Sequence, residues 1–310
     1  MNYDKALKYN RSSLIKYKWS PLWFGAESLD EALVDAVACF QEENDLEADG
    51  LVGPSTYRRI LAEVEAGDVN FKPEKSRKRR IDTYLIYNDK KVPLLWKKVR
   101  LYTERKGLRI EAPTYYPYSS EVDRGPIQFV NHWDAALTSK SCVKIINKRG
   151  LSMHFCIDND GTIYQLMDMQ HAAWQAGNEL SNRIGLGVEI SNAFYLKYQD
   201  WYVKNGFGAR PIIVKAPIHG DKSVPAHLGF YDVQIDALAA LWECVSFATD
   251  MPLEICEVQG VCEGCQNGDH AGFINHFNLT TNKIDCSGLD MQLVLDKALS
   301  LREKRLATSC

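Results

Sequence analysis

The sequence predicts a small helical unit followed by a larger mixed α/β domain, and three observations support this. Up to about residue 65, the apolar residues recur at helical spacing. From Ile81 onward, short apolar runs alternate with Gly-containing turns, which is typical of strands. Near the C-terminus the apolar residues return to helical spacing, and the length of 310 residues accommodates two domains or one large one.

The N-terminal unit contains two predicted helices that are separated by turns. Ser28 and Glu31 have the spacing of a capping box, which predicts a helix start at Ser28. The turns are at Asp49-Gly50 and Gly53-Pro54, and Pro54 can begin the second helix. The apolar faces consist of Leu33, Val37 and Phe40 in the first helix and of Tyr57, Ile60, Leu61 and Val64 in the second.

Residues 67–80 are predicted to form a linker. They include Gly67 and Pro73 and end in a strongly basic run without apolar periodicity. A solvated hinge is the favoured interpretation, and weak attraction to anionic polymers or lipid is the alternative.

The larger domain combines short predicted strands with two later helices. The predicted strands are Tyr84–Tyr87, Ile127–Val130, His154–Ile157, Thr162–Leu166 and Gly185–Ile190. The third and fourth strands flank Asp160-Gly161, which predicts a hairpin turn. Asp232 can cap the first helix, and the second helix runs from about Leu289 to Arg305. The apolar face of the first helix is formed by Ile235, Leu238, Trp242 and Val245.

Composition excludes several classes of function. The formal net charge is -3, so the basic excess that is typical of nucleic-acid-binding proteins is missing, and no nucleic-acid partner is expected. No apolar run approaches the roughly 20 residues that cross a bilayer, so stable membrane insertion is not expected. The N-terminus carries charges but lacks the apolar core of a signal peptide, which predicts synthesis in the cytoplasm.

The nine cysteines include two groups with different predicted roles. The first group lies in apolar segments and is predicted to be small core residues: Cys39, Cys142, Cys156 and Cys244. The second group is Cys256, Cys262 and Cys265, with His270 following. Four such ligands can form a structural zinc site, but a disulfide or unpaired thiols are the favoured interpretation.

Two separated segments offer the ligands of a catalytic metal. His132 follows an apolar strand, where a side chain can point into a cleft, although a lone histidine is more often structural. His276 begins a polar segment that also contains Asp285 and Cys286. A catalytic zinc site takes three protein ligands and keeps one position for water. The two histidines and one of Asp285 or Cys286 supply that number.

Two further residues have the chemistry that a hydrolase needs. Glu189 interrupts the apolar strand Gly185–Ile190, and because burying an unpaired carboxylate is costly, it is either paired or facing a cleft. A carboxylate in a cleft can accept a proton. Lys283 can place its ammonium group beside an oxyanion.

Five sequence blocks occur in a specific order along the larger domain. They are Phe129–His132, Ser152–Gln165, Ala173–Gly177, Ile184–Ile190 and His276–Gly288. Together they resemble the zinc N-acetylmuramoyl-L-alanine amidase family, which includes phage amidases, bacterial wall-recycling amidases and animal peptidoglycan recognition proteins. The resemblance covers about residues 126–298. It implies a central mixed β-sheet flanked by helices, with a zinc cleft at one edge.

The resemblance also implies roles for the candidate metal ligands. His132 and His276 match the zinc histidines, and Lys283 matches the oxyanion-stabilising lysine. The third ligand of the family lies two positions after that lysine, which favours Asp285. Cys286 stays open as the alternative, because Cys286-Ser287-Gly288 resembles the Cys-Pro-Gly ending of other members.

The remaining candidate residues concern proton transfer and substrate. Glu189 matches the acidic residue that some members use to activate water, whereas others use a tyrosine where this chain has Met153. His154, Trp174 and Gln175 are expected to contact substrate, and a packing role is the alternative for His154 and Trp174. Gln175 stands where relatives often have histidine.

The N-terminal unit carries a second resemblance. Phe40-Gln41 precedes the run Asp49–Thr56, which has the pattern D-G-x-x-G-P-x-T. This combination resembles the three-helix peptidoglycan-binding module of many wall hydrolases, with a generic helical hairpin as the alternative. Such an arm raises the local concentration of substrate.

These observations predict a monomeric Zn²⁺ enzyme that hydrolyses the amide bond between N-acetylmuramic acid and L-alanine in peptidoglycan. The predicted domains are a wall-binding domain at 1–66, the linker at 67–80 and the amidase domain at 81–310. A phage endolysin, made in the host cytoplasm and acting on the wall after release, is the favoured setting. The alternatives are a non-catalytic recognition protein, a secreted effector amidase and a cysteine peptidase using Cys286 or Cys156. Residues 195–231 are predicted to form a lid or a substrate loop.

Overall fold

A computed structural model describes residues 2–65, 83–111 and 114–309. Its contacts divide the chain into two compact units, with the division between residues 80 and 81. The linker predicted at 67–80 lies outside the described ranges. Within these ranges, no helix combines the length and the apolar character that crossing a membrane requires.

The N-terminal unit is helical, as predicted. Its elements are α1 (Tyr3–Tyr17), a 3₁₀ turn (Pro21–Phe24), α2 (Glu31–Glu43) and α3 (Pro54–Glu65). The predicted cap of α2 is wrong by two residues: the side chain of Asp30 accepts the hydrogen bond from the Leu33 amide, and Ser28 donates to Asp30. The core of this unit is apolar and consists mainly of Trp19, Phe24, Leu33, Val37, Phe40, Val52 and Ile60.

Gln41 joins the turn of the N-terminal unit to its helices. Its buried amide nitrogen donates to the carboxylate of Asp49, the Leu51 carbonyl and the hydroxyl of Thr56, and its carbonyl oxygen accepts from the Gly50 amide. Gly50 has a φ of 71°, a conformation that glycine adopts without strain. The Gln, Asp-Gly and Thr of the sequence pattern therefore form one hydrogen-bond network.

The larger unit is built on a six-stranded mixed sheet, which confirms the predicted fold class. The strand order is β14-β5-β9-β6-β7-β3, and β14, β5, β9 and β6 are parallel. Its strands are β3 (Val99–Leu101), β5 (Gln128–Trp133), β6 (Phe155–Ile157), β7 (Ile163–Gln165), β9 (Gly185–Ile190) and β14 (Gly272–Asn275). The hairpin predicted at Asp160-Gly161 is confirmed, because β6 and β7 pair antiparallel on either side of it.

Helices cover this sheet, and α7 (Asp232–Thr249) contributes much of the core. The helices are α4 (Ser139–Lys148), α5 (Glu179–Ile184), α6 (Gln199–Lys204), α7 (Asp232–Thr249), α8 (Glu263–Asn267) and α9 (Met291–Ser309). In α7, Trp242 is fully buried and stacks on Phe273 of β14. Asp232 is the first residue of α7, and Tyr231 occupies the cap position that was predicted for it. The last helix begins two residues later than predicted and ends later.

Short antiparallel strand pairs complete the unit. They are β1 (Tyr84–Tyr87) with β2 (Lys90–Pro93), β4 (Tyr115–Tyr116) with β8 (Ala172–Ala173), β10 (Ile212–Ile213) with β13 (His227–Leu228), and β11 (Ala216–Ile218) with β12 (Lys222–Val224). The segment 195–231 is tied to the core by the buried Arg210, whose guanidinium donates to the Gly229 and Ser191 carbonyls. That guanidinium lies between the rings of Tyr202 and Tyr231.

Candidate metal centre and active site

Three parallel strands end at the same edge of the sheet and carry the candidate site. His132 and Glu189 are paired in register on β5 and β9, and His276 directly follows β14. Asn131 fixes this edge, because its side-chain amide donates to the Ile274 carbonyl and its side-chain oxygen accepts from Trp242. Carboxyl ends of parallel strands are a common position for functional side chains.

The two histidines converge on one carboxylate. Asp285 Oδ2 lies 3.2 Å from His132 Nδ1 and 3.0 Å from His276 Nδ1. The two imidazole rings are 4.3 Å apart between centroids. Potential ligand atoms of all three residues lie within 4.8 Å of one another, and all three residues are buried. The backbone carbonyl of Asp285 accepts a hydrogen bond from the amide of Phe277, the residue after His276. This bond holds Asp285 close to His276.

The electrostatics of this cluster suit a cation. Burial, followed by the charge of the neighbouring His276, lowers the pKa of His132 to about 4, so the imidazole is held neutral. Burial acts to raise the pKa of Asp285, but hydrogen bonds from His132 and His276 outweigh it and keep the pKa below its usual range. Two imidazoles and one carboxylate form a donor set that zinc takes. His132 Nε2 is enclosed without a partner among the described residues.

Cys286, the alternative candidate for the third metal ligand, lies in a different environment from that of Asp285. Its side chain is 1% exposed and packs in the apolar core that contains Phe273 and Trp242. Burial raises the pKa of its thiol well above the usual range, which opposes the thiolate that a metal needs. Among the described residues, the geometry thus brings Asp285, and not Cys286, to the histidines.

Glu189 is the acidic residue nearest this edge of β9. It is half-buried, and its Oε2 is enclosed without a hydrogen-bond partner in the described part of the chain. Burial raises its pKa well above the ordinary value, and the charges of Asp134 and Asp285 raise it further. A carboxylate with a raised pKa is a better proton acceptor at neutral pH.

Lys283 is exposed on the loop that leads to Asp285. Its charge acts on the pKa of both His132 and Glu189, so its ammonium group lies within electrostatic reach of the cluster. Its backbone carbonyl is 2.9 Å from His219 Nε2, which links this loop to the 195–231 segment. No local sequence pattern distinguishes His219 as a candidate for this site.

Of the three predicted substrate residues, His154 is buried, whereas Trp174 and Gln175 are only partly buried. His154 is fully buried, its Nε2 is 2.9 Å from the His171 carbonyl, and burial lowers its pKa to about 3, all of which favour the packing alternative. Trp174 is partly exposed and packs edge-on against Tyr116. Gln175 has both side-chain polar atoms enclosed without partners among the described residues.

The cysteines test two sequence expectations. Cys142, Cys156 and Cys244 are buried, as predicted, but the same prediction is wrong for Cys39, which is exposed. Among the described cysteines no disulfide forms, although the sulfur atoms of Cys256, Cys262 and Cys265 lie within 4.8 Å of one another. Of the two interpretations favoured for this loop, a disulfide or unpaired thiols, the structure has the unpaired thiols.

Comparison with known proteins adds a family match. Residues 123–257 match the family model described as N-acetylmuramoyl-L-alanine amidase. The matched range contains His132 and Glu189 and ends before His276, Lys283 and Asp285. No curated protein sequence matches the chain.

Several solved structures are similar to this chain at low identity. A complex of the amidase AmiD from E. coli with anhydro-N-acetylmuramic acid-L-Ala-D-gamma-Glu-L-Lys has 17% identity and a TM-score of 0.37, covering 61% of each chain. The hydrolase AmiA of Staphylococcus aureus, in complex with its ligand, has 13% identity and a TM-score of 0.42, covering 67% of this chain and 88% of its own. The amidase LysC from Clostridium intestinale has 15% identity and a TM-score of 0.37, covering 63% and 97%.

Proposed function

We propose that this chain is a zinc-dependent peptidoglycan amidase, and the match of residues 123–257 to the N-acetylmuramoyl-L-alanine amidase family model supports this. It hydrolyses the bond between N-acetylmuramic acid and the L-alanine of the stem peptide. The observation that carries the proposal is the convergence of His132, His276 and Asp285 within 4.8 Å at the carboxyl edge of the sheet. These three residues would hold the metal, as the three protein ligands of a catalytic zinc site do.

Zinc, when bound, supplies Lewis acidity toward a water and toward the scissile carbonyl. Glu189 takes a proton from the attacking water at its enclosed Oε2 and delivers it to the leaving amine of L-alanine. Lys283 places its ammonium group beside the carbonyl oxygen as negative charge develops there. Burial, followed by the charges of Asp134 and Asp285, raises the pKa of Glu189, which keeps this carboxylate basic enough for both transfers.

The product of digestion tests the proposal most directly. Purified peptidoglycan treated with the protein should release stem peptides with a free L-alanine amino group, identified by mass spectrometry, while the glycan strands stay intact. A chelator should stop this release, and added zinc should restore it. Cleavage within the glycan or at a peptide cross-link would contradict the proposal, as would release that a thiol-alkylating reagent stops and a chelator does not.

The domain at 1–66 is proposed to bind peptidoglycan, with residues 67–80 as the linker and 81–310 as the amidase domain. The hydrogen bonds that Gln41 makes to Asp49, Gly50 and Thr56 support this, because they give the residues of the sequence pattern one shared structural role. An arm that binds the wall suits an enzyme that lyses a host cell at the end of phage growth. Delivery as a secreted effector is the second setting.

Sedimentation with purified cell walls tests the arm in the full chain. Gln41→Ala removes the network that holds the Asp49-Gly50 turn, so wall binding should weaken while zinc content stays unchanged. Gln292→Ala is the matched control, because Gln292 is exposed on α9 and bonds only locally to Asp296. Equal sedimentation of both variants and the parent protein would contradict the role of the arm.

A further inference from the structure

A second cluster of potential metal ligands lies in the loop before β14. Cys256, Cys262 and Cys265 bring their sulfur atoms within 4.8 Å of one another, and all three are unoxidised. Sulfur atoms that share a zinc ion are about 3.8 Å apart, since each zinc–sulfur bond is about 2.3 Å. Three thiols at this separation are close to the arrangement that a single zinc ion imposes.

His270 supplies the fourth position. Its backbone amide donates to the Gly264 carbonyl, which places it over the turn between Cys262 and Cys265. Its Nε2 is enclosed without a partner in the described part of the chain, and its charge acts on Cys256. The three sulfur atoms alone lie within 4.8 Å of one another, and His270 adjoins them, so its imidazole would complete the ligand set of a closed structural zinc site.

We propose that Cys256, Cys262, Cys265 and His270 bind a structural zinc ion that is separate from the catalytic one. On binding, the three thiols release their protons to solvent and coordinate as thiolates. Tetrahedral sulfur-rich sites of this composition select zinc among the common divalent ions.

The surrounding hydrogen bonds show what such a site stabilises. The Cys262 amide donates to the Asn278 carbonyl, and the Asn278 side chain donates to the Val258 and Gly260 carbonyls. Asn278 ends the 3₁₀ turn that begins with the catalytic candidate His276. On the other side, the Gln128 side chain donates to the Cys265 and His270 carbonyls. The second zinc therefore holds the loop that supports His276.

Metal analysis of the purified full chain, prepared under reducing conditions, tests the proposal. We expect about two zinc ions per chain in the parent protein, and about one in both His132→Ala and Cys265→Ser. Cys39→Ser is the matched control, since Cys39 is exposed in the other unit, and it should keep about two. About one zinc ion in the parent protein, lost entirely in His132→Ala, would overturn the second site.

Cobalt substitution identifies which ion is which without measuring activity. Thiolate-to-cobalt charge-transfer absorption should persist in His132→Ala and disappear in Cys265→Ser. His270→Ala should weaken metal retention, and His270→Cys should restore it with stronger charge-transfer absorption. Absence of this absorption from the cobalt-loaded parent protein would contradict a cysteine site.

Alkylation of the parent protein keeps the proposal testable if a cysteine variant does not fold. Peptide mapping should show Cys256, Cys262 and Cys265 protected from iodoacetamide in the zinc-loaded protein and labelled after chelation. Equal labelling in both states, or a disulfide between any two of them, would overturn the proposal.

Discussion

Glu189 lies directly opposite His132 in the parallel pairing of β9 with β5. In-register residues of neighbouring strands project from the same face of a sheet, so the carboxylate and the imidazole share one side of the site. Glu189 has an enclosed oxygen without a partner among the described residues. The pairing thus sets a proton acceptor beside a candidate metal ligand.

Glu189→Gln tests this arrangement with a near-isosteric change. The amide cannot accept a proton from water, so amidase turnover should fall by about 10²–10⁴-fold, the usual contribution of general acid–base catalysis. Zinc content should not change, because Glu189 is not among the three proposed ligands. The measurements are the release of alanine amino groups and metal analysis of the same preparation.

Glu179→Gln is the control for that substitution. Glu179 is exposed on α5 and pairs with Arg183 one helical turn away. Its loss should leave turnover within about twofold, because exposed pairs of this kind contribute little. Undiminished turnover in Glu189→Gln would assign proton transfer to another group.

The choice between neighbouring ligands can be made with two alanine variants. Asp285→Ala should lose the catalytic zinc and the activity, since it removes the oxygen that lies 3.0 Å from His276 Nδ1 and 3.2 Å from His132 Nδ1. Cys286→Ala should keep both and lose roughly 1 kcal/mol of unfolding free energy through the small cavity it leaves in the core. Zinc analysis and thermal unfolding measure the two effects. Loss of the catalytic zinc from Cys286→Ala alone would reverse the assignment.

Much of the site could be predicted because its residues follow recognisable strands. His132 ends an apolar run and Glu189 interrupts one. The local sequence therefore shows that each residue belongs to a strand and where in that strand it lies. The in-register pairing of the two strands, however, depends on which strands become neighbours in the sheet. Packing between segments that are distant in sequence determines which strands become neighbours, and no local sequence pattern reveals it.

Other features depended on side-chain direction, which the sequence pattern does not specify. Asp285 and Cys286 are consecutive, and the backbone path turns one toward the histidines and the other into the core. The strand β14 was missed because only Phe273 and Ile274 of its four residues are apolar, although Gly272–Asn275 leads directly to His276. The cap of α2 was misplaced because Ser28 and Asp30 are both good capping residues, and the aspartate reaches the Leu33 amide.

The side chain of Gln175 packs directly against Gly187 of β9. A Cβ atom at position 187 would overlap the Gln175 side chain, so Gly187 leaves the space in which the amide lies. Gln175→Ala should raise the KM for peptidoglycan fragments by up to about tenfold, the value of one lost hydrogen bond, with zinc content unchanged. Steady-state kinetics on a soluble muramyl peptide measures this.

Gly187→Ala provides an independent test of the same contact. The added methyl group should displace the Gln175 amide and raise KM as Gln175→Ala does. Combining the two changes should then add little beyond either one, because both remove the same interaction. Fully additive effects, or an unchanged KM in Gln175→Ala, would exclude a substrate contact at this position.

The last helix is anchored to the core by a buried ion pair. Glu243 of α7 is fully buried, and its Oε1 and Oε2 accept from Arg305 at 2.7 and 2.6 Å, while Arg302 donates to Oε1 at 2.9 Å. Glu243→Ala leaves two guanidinium groups near the core without their carboxylate, and it should cost about 3–5 kcal/mol of unfolding free energy. Denaturant unfolding of the full chain measures this loss.

Asp236→Ala is the matched control, because it breaks an ion pair between the same two helices at their exposed face. Asp236 lies 2.8 Å from Lys297, and the two side chains are 45% and 42% exposed. Solvent screening limits such a pair to about 1 kcal/mol or less, so this variant should unfold close to the parent protein. Similar losses in the two variants would mean that α9 is held by apolar packing of Val294 and Ala298 and not by Glu243.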